Sequence, residues 1–308
     1  MAAKGPPAYG LTDDGAVLTP PVGRDLVFTK DALVAEVHFF SDDPADLIAR
    51  KAMRVNLSDL AAMGAEPLGY LLALALPKNM TDIDGWLAKF SAGLKRDQDE
   101  FGWSLIGGDT VSTPGPLMIS LTAIGSVPKG CALRRSGAEA GDDIYVSGSL
   151  GDAALGLKCL TGEIMPKSNV LIDRYYLPRP RLLLGQKLKN IATAVMDISD
   201  GLAGDIRHIC ELSGCGAEIE AELIPHSDEV GKLLESFPRY KSLIWQGGDD
   251  YELLFTAPRH VANDIDILSR EIDLPLTRIG GITAEKAVVI KDGEDRNLAS
   301  NSHGFRHF

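Results

Sequence analysis

The chain has 308 residues, enough for two ordinary domains, and its 45% hydrophobic and 24% charged residues exclude a disordered or fibrous protein. A formal net charge of -12 excludes a nucleic-acid groove, because a phosphate backbone needs a basic face. The most apolar run, Leu68 to Leu76, is about half of the roughly 20 residues a membrane span needs, and Met1 to Gly10 lacks the pattern of a secretory signal, so a cytoplasmic protein with no membrane partner is expected.

In chain order, extended segments are expected at Asp25 to Thr29 and at Leu33 to Phe39. A helix follows from Asp43-Pro44, a cap residue and then a proline at the first helical position, to about Gly64. A strand at Gly69 to Leu76, a helix at Thr81 to Phe101 and a strand at Leu117 to Val127 complete the first half. The polar, glycine-bearing stretch from Arg134 to Asp143 marks the junction, giving domains 1–137 and 138–308. In the second half, strands are expected at Ile144 to Ser147, Ala194 to Ile198, Glu252 to Thr256 and Ala287 to Ile290, with helices at Leu150 to Leu160, Arg181 to Ile191 and Asp200 to Leu212. This alternation predicts two mixed α/β domains. Cys131, Cys159, Cys210 and Cys215 include no C-x-x-C pair and no zinc spacing, so buried, idle thiols are expected.

Aspartates recur where apolar runs break off, as in Leu105 to Thr110 and Val195 to Gly201. Carboxylates at strand ends line the crevices of α/β folds, and several together repel unless divalent cations neutralise them. That points to magnesium and, through it, to phosphate. Helical spacing puts Asp59 in line with Ile48, Ala52, Val55 and Ala62, on the stripe that faces the core, where a carboxylate needs a cation, an arginine or donors; a rotated helix would instead leave it solvated. Strand alternation sends Thr29 and Asp31 to one face and Phe28 and Lys30 to the other, so Thr29 and Asp31 can share a metal or simply end a strand. Asp13-Asp14 before Gly15 reads equally as a solvated loop. Asp197, Ser199 and Asp200 straddle a strand-to-helix junction, where Ser199 or Asp200 can cap the helix; capping accounts for neither Asp197 nor Asp205, and helix N-termini also attract phosphate. Arg134-Arg135 before a glycine turn suits phosphate oxygens, although arginine pairs are common in linkers, and His38 fits a structural role or an anionic neighbour. The chain has no G-x-x-x-x-G-K-[ST] loop and no kinase catalytic-loop signature, so metal-bridging carboxylates would replace a glycine-rich phosphate loop.

Taken in order, Thr29-Lys30-Asp31, His38-Phe39, Val55 to Ala65, Leu105 to Thr110, Arg135 to Ala138, Asp197 to Gly201 and Gly247 to Leu253 resemble the bacterial thiamine-monophosphate kinases over nearly the whole chain. That family is related to aminoimidazole-ribonucleotide synthetase, selenophosphate synthetase and a hydrogenase-maturation protein. The resemblance implies transfer of the γ-phosphoryl of ATP to thiamine monophosphate, with several Mg2+ ions, in a homodimer formed through the N-terminal domains. It implies metal ligation by Asp14, Thr29, Asp31, Asp59, Asp109, Asp197 and Asp200, with Asp31, Asp59 and Asp109 acting catalytically through metal. It assigns ATP contacts to Gly108, Asp109, Arg135 and Ser199, and substrate contacts to His38, Asp249 and Phe305. The chain departs from the family at Thr12, where glycine is usual, at Lys30, where threonine is usual, and at Asp249 and Phe305, which replace glutamate and a larger aromatic residue. The family's N-terminal helix has no counterpart, which suggests a truncated or rebuilt start. Selenophosphate synthetase typically needs a reactive cysteine near its start, whereas the first cysteine here is Cys131. Another acceptor, or a non-catalytic nucleotide- or cation-binding role, stays as the alternative.

Overall fold

The computed structural model describes residues 7–294 and 296–298. The chain divides into two compact units, one formed by the described residues up to Leu60 with Ala65–Ala132, the other by Ala61–Gly64 with the described residues from Leu133.

The first unit contains β1 (Arg24–Val34), α1 (Ala45–Ala62, whose last turn counts with the second unit), β2 (Glu66–Pro77), α2 (Ile83–Phe101), β3 (Leu105–Thr113) and β4 (Met118–Pro128). Its sheet runs β1-β4-β2-β3, antiparallel except for the parallel β2–β3 pair. Strand alternation sorts the side chains onto two different faces. Tyr70, Leu72, Leu74, Ile119 and Leu121 are buried on the face that carries α1 and α2. The opposite face leaves Phe28, Leu71, Val111 and Met118 exposed. A buried ion cluster ties the helices together: Asp97 is fully buried and accepts from Arg50 Nε at 2.7 Å and from Arg54 Nε at 2.7 Å.

The expected break between Thr29 and Leu33 is absent, because Lys30 and Asp31 continue the in-out alternation and no turn residue interrupts it. The chain turns only after Val34, at Glu36, with φ of 66°. The strand at Leu105 also runs further than the apolar run suggested, since Thr110, Val111 and Thr113 are β-branched and carry it past Asp109.

The second unit contains β5 (Asp143–Ser147), α3 (Asp152–Leu160), α4 (Asn169–Tyr176), α5 (Leu182–Lys187), β6 (Ala194–Asp197), α6 (Leu202–Ser213), β7 (Gly216–Glu220), α7 (Asp228–Ser236), α8 (Leu243–Gln246), β8 (Leu253–Ala257), α9 (Ala262–Glu271), β9 (Leu276–Thr283) and β10 (Val288–Lys291). The sheet order is β10-β7-β9-β5-β8-β6, with only β10–β7 parallel. Both faces are covered. Ile144, Val146, Met196 and Leu254 join one apolar core with α3, α4 and α6, while Tyr145, Val195, Leu253 and Phe255 join another with Leu184, Ile265 and Leu268. Double burial explains why these strands read as unbroken apolar runs.

Candidate active site

In the first unit, the structure brings together Thr29 and Asp31 on β1 with Asp59 on α1. Thr29 donates its hydroxyl to Asp59 Oδ2. One turn earlier on the same helix face, the fully buried Asn56 accepts the Asp31 N–H at 3.2 Å and donates to Ala52 O at 2.9 Å. A strand and a helix, both regular, thus hold two like charges side by side. Burial first, and the Asp59 charge second, push the Asp31 carboxyl up to about 6. Asp59 points from α1 towards β1, as the helical spacing predicts. Lys30 is exposed on the face opposite Asp31, so its ammonium does not compete with a cation there.

Asp109 lies elsewhere. The register places Asp31 level with Leu121, Leu72 and Gly108, two intervening strands away, roughly 14 Å at the usual strand spacing. Asp109 pairs with Ala73, is exposed, and accepts the Thr110 N–H at 2.8 Å. With Asp13, Asp14 and Gly108 it borders a groove of about 480 Å³ floored by Leu72, Leu74 and Phe90. Within this unit the carboxylates stand in two groups, Asp31 with Asp59, and Asp109 in mid-strand on the edge strand β3. His38 accepts the Val34 N–H at Nδ1, at 3.0 Å, so the ring carries its proton on Nε2. Asn56 was missed by sequence reasoning; a buried asparagine on the apolar side of α1 was its only signal.

In the second unit, two loops meet. Asp197 ends β6 and is buried, while Ser199 and Asp200 are half-buried beyond it. The Asp249 N–H donates to Ser199 O at 2.9 Å, Tyr251 N–H to Ile198 O at 2.8 Å and Ile198 N–H to Glu252 O at 2.9 Å. The loops approach so closely that a Cβ at Gly248 would lie 2.4 Å from Ser199 O, and one at Gly201, where φ is 103°, 2.7 Å from Gln246 O. Neither Ser199 nor Asp200 caps α6: the cap position is Gly201 and makes no side-chain cap bond. The polarity is reversed. Asp205 Oδ2, within the first turn, accepts the N–H groups of Ser199 at 3.0 Å and Asp200 at 3.1 Å. Burial, then the charges of Asp197 and Asp200, raise the Asp205 carboxyl to about 8.

The second loop alternates strained and anchored residues. Asp249 and Tyr251 have φ of 70° and 51°, a region that costs non-glycine residues of order 1–3 kcal/mol each. Between and after them, the buried Asp250 accepts Gly151 N–H at 2.7 Å, and the buried Glu252 binds Arg174, Arg181 and the Ser147 hydroxyl. Arg135 is exposed on its turn. Phe305 lies outside the described residues. Arg174 and Arg181 were not anticipated, and nothing local to Glu252 announces them.

The donors in both units are hard oxygens, which suit magnesium. Among the described residues, no three His, Cys, Asp or Glu side chains form a ready metal cage. Paired carboxylates without a cage fit a magnesium ion that keeps waters and shares substrate phosphates.

Residues 12–127 match the N-terminal domain model, and residues 139–293 the C-terminal domain model, of AIR synthase related proteins. This is a two-domain α/β class. Within it, the chain is 44% identical to the thiamine-monophosphate kinase of Escherichia coli K12 over 97% of its own length and 91% of that relative. The crystal structure of the thiamine-monophosphate kinase of Stenotrophomonas maltophilia K279a superposes with a TM-score of 0.84 at 40% identity, covering 91% of this chain and 90% of that one. AaThiL complexed with AMPPCP and TMP does so with a TM-score of 0.82 at 30% identity, covering 96% and 91%. The chain belongs to the thiamine-monophosphate kinase family and is an enzyme of the kinase class.

Proposed function

We propose that this enzyme transfers the γ-phosphoryl of ATP to the phosphate of thiamine monophosphate, giving thiamine diphosphate, by magnesium-assisted in-line transfer in the cytoplasm. The observation that carries the reading is the Thr29–Asp31–Asp59 group, where two carboxylates face each other in a partly buried setting that favours a divalent cation. Asp31 and Asp59, with Thr29, would hold metal from the first unit, as would Asp14 and Asp109 at the groove. Asp197 and Asp200 would do so from the second. When bound, magnesium screens the charge of two phosphate-bearing reactants and supplies Lewis acidity. The protein's own residues orient the reactants. The nucleotide is assigned to Gly108, Asp109, Ser199 and Arg135, whose exposed guanidinium suits a bidentate phosphate contact. The thiamine phosphate is assigned to His38, through its Nε2–H, to Asp249 and to Phe305. Domain 1–137 takes the nucleotide, metal and dimer roles, and domain 138–308 completes the site. The exposed Phe28, Leu71, Val111 and Met118 on one sheet face support a homodimer formed through the first unit. No helix of the described residues is long and apolar enough to cross a membrane.

Purified protein given ATP, MgCl2 and thiamine monophosphate is expected to release thiamine diphosphate and ADP in equal amounts, and to stop when EDTA is added. Folded wild-type protein that makes ADP only with a different acceptor, or none at all, sinks the assignment.

A further inference from the structure

Cys210 and Cys215 stand at the C-terminal end of α6. The Cys210 carbonyl accepts the N–H of Gly214, where φ is 71°, and also the Cys215 N–H at 3.0 Å. This closing turn sets the side chains of residues 210 and 215 against each other, a position usually filled by an apolar pair. Here it is filled by two free thiols, close enough for each to shift the other's ionisation. They are buried, at 4% and 8% exposed, yet both line a pocket of about 350 Å³ with Arg207, Glu211, Lys286 and Val288. That pocket brings a small molecule up to both cysteines, and its two basic side chains, set against the single acid of Glu211, favour an anionic one. None of these residues is among those assigned above to the kinase reaction.

We propose that Cys210 and Cys215 form a closable dithiol, a modification site that an anionic low-molecular-weight disulfide of the glutathione class converts into an intramolecular disulfide. The more exposed Cys215 attacks first: its thiolate takes one half of glutathione disulfide and releases the other as glutathione thiolate. Cys210 then loses its proton and attacks the Cys215 sulfur, expelling the second glutathione. The protein pair gives up two electrons and two protons, and one glutathione disulfide becomes two glutathiones. Burial pushes the Cys210 thiol up to about 12 and raises Cys215 in the same direction. Closure is therefore slow at neutral pH and quickens as pH rises. Because no thiolate stabilises the reduced form, the closed bond resists reduction better than that of a low-pKa dithiol.

The test uses the full chain with Cys131→Ser, which removes the half-exposed thiol and leaves Cys159, Cys210 and Cys215. After incubation of the folded protein with glutathione disulfide at pH 8.5 and quenching with acid, thiols are counted in denaturant and peptides are mapped. The expected result is loss of two thiols, no retained glutathione, and one peptide pair linked through Cys210 and Cys215. Adding Cys210→Ser is expected to trap glutathione on Cys215. A folded protein that keeps all three thiols, or that holds glutathione on Cys215 with Cys210 still reduced, overturns the proposal.

Discussion

The two units hold their carboxylates by different means. In the first, Thr29, Asp31 and Asp59 ride on a continuous strand and a long helix, and their geometry follows from the periods of those elements. In the second, Ser199 and Asp200 follow Asp197, the last residue of β6, on a loop whose shape is imposed from outside, by Asp205, by backbone bonds to residues 249–252 and by buried ion pairs beneath those residues. The first arrangement is local and tolerant of change elsewhere. The second is cooperative and depends on residues far along the chain.

The sharpest way to break the contrast is Glu252→Ala. It leaves Arg174 and Arg181 without their shared buried counter-charge, and the Ser147 hydroxyl without an acceptor. A loss of about 3–5 kcal/mol is expected on breaking such a pair, measured by urea denaturation. A loss under about 1 kcal/mol means that the loop is not anchored there.

Next in size is Asp59→Asn. Removing one of two like charges spares the fold, and native stability is expected to stay level or rise. Activity in the phosphoryl-transfer assay should fall by more than the roughly 10–100-fold typical of a group that only supports a ligand. A folded variant with near wild-type rate at saturating magnesium removes Asp59 from the metal site.

The pH dependence of stability separates the units further. The folded-state values of Asp31, about 6, and Asp205, about 8, lie above the ordinary value of 3.8. Each group therefore binds its proton more tightly when folded, so its favourable contribution is complete below about pH 4 and is lost as pH rises through the folded value. Without magnesium, the Asp205 part of this decline runs to about pH 8, and Asp205→Asn, which keeps an oxygen acceptor for the Ser199 and Asp200 N–H groups, is expected to flatten it. Urea titrations from pH 5 to 9 check this; an unchanged slope in the variant refutes the role of Asp205. Magnesium should stabilise more strongly above pH 6 than below, as Asp31 deprotonates.

The smallest effect is expected of Lys30→Thr. Its side chain is exposed on the face away from Asp31, so kcat and KM should stay within about 2–3-fold, as for most surface changes. A larger shift shows that the ammonium reaches the metal group after all.

What was legible in the sequence follows the same division. The 3.6 and 2.0 periods exposed Asp59, Thr29 and Asp31 because each lies on a regular element whose orientation is set by its own apolar residues. Asp197 was visible because a buried strand stops there. The rest was hidden by distance: Arg174 and Arg181 lie 78 and 71 residues from Glu252, and no local pattern encodes such a pairing. The helices at Asn169 and Asp228 and the strand at Leu276 were not anticipated, since short elements with mixed polarity owe their form to tertiary packing. The length of the strand through Asp109 was hidden because its apolar run ends before the strand does. Strand persistence there rests on the β-branched Thr110, Val111 and Thr113, and the polar residues around Val111 leave no apolar run to read.

The carboxylate of Asp250 caps α3 from 99 residues downstream of Gly151. A helix terminus and a distant loop thereby share one fate in local unfolding: opening the loop bares the Gly151 and Ala153 amides. Their hydrogen-exchange rates give a direct gauge of how often the strained segment around Asp249 comes apart, even in a protein with no ligand bound.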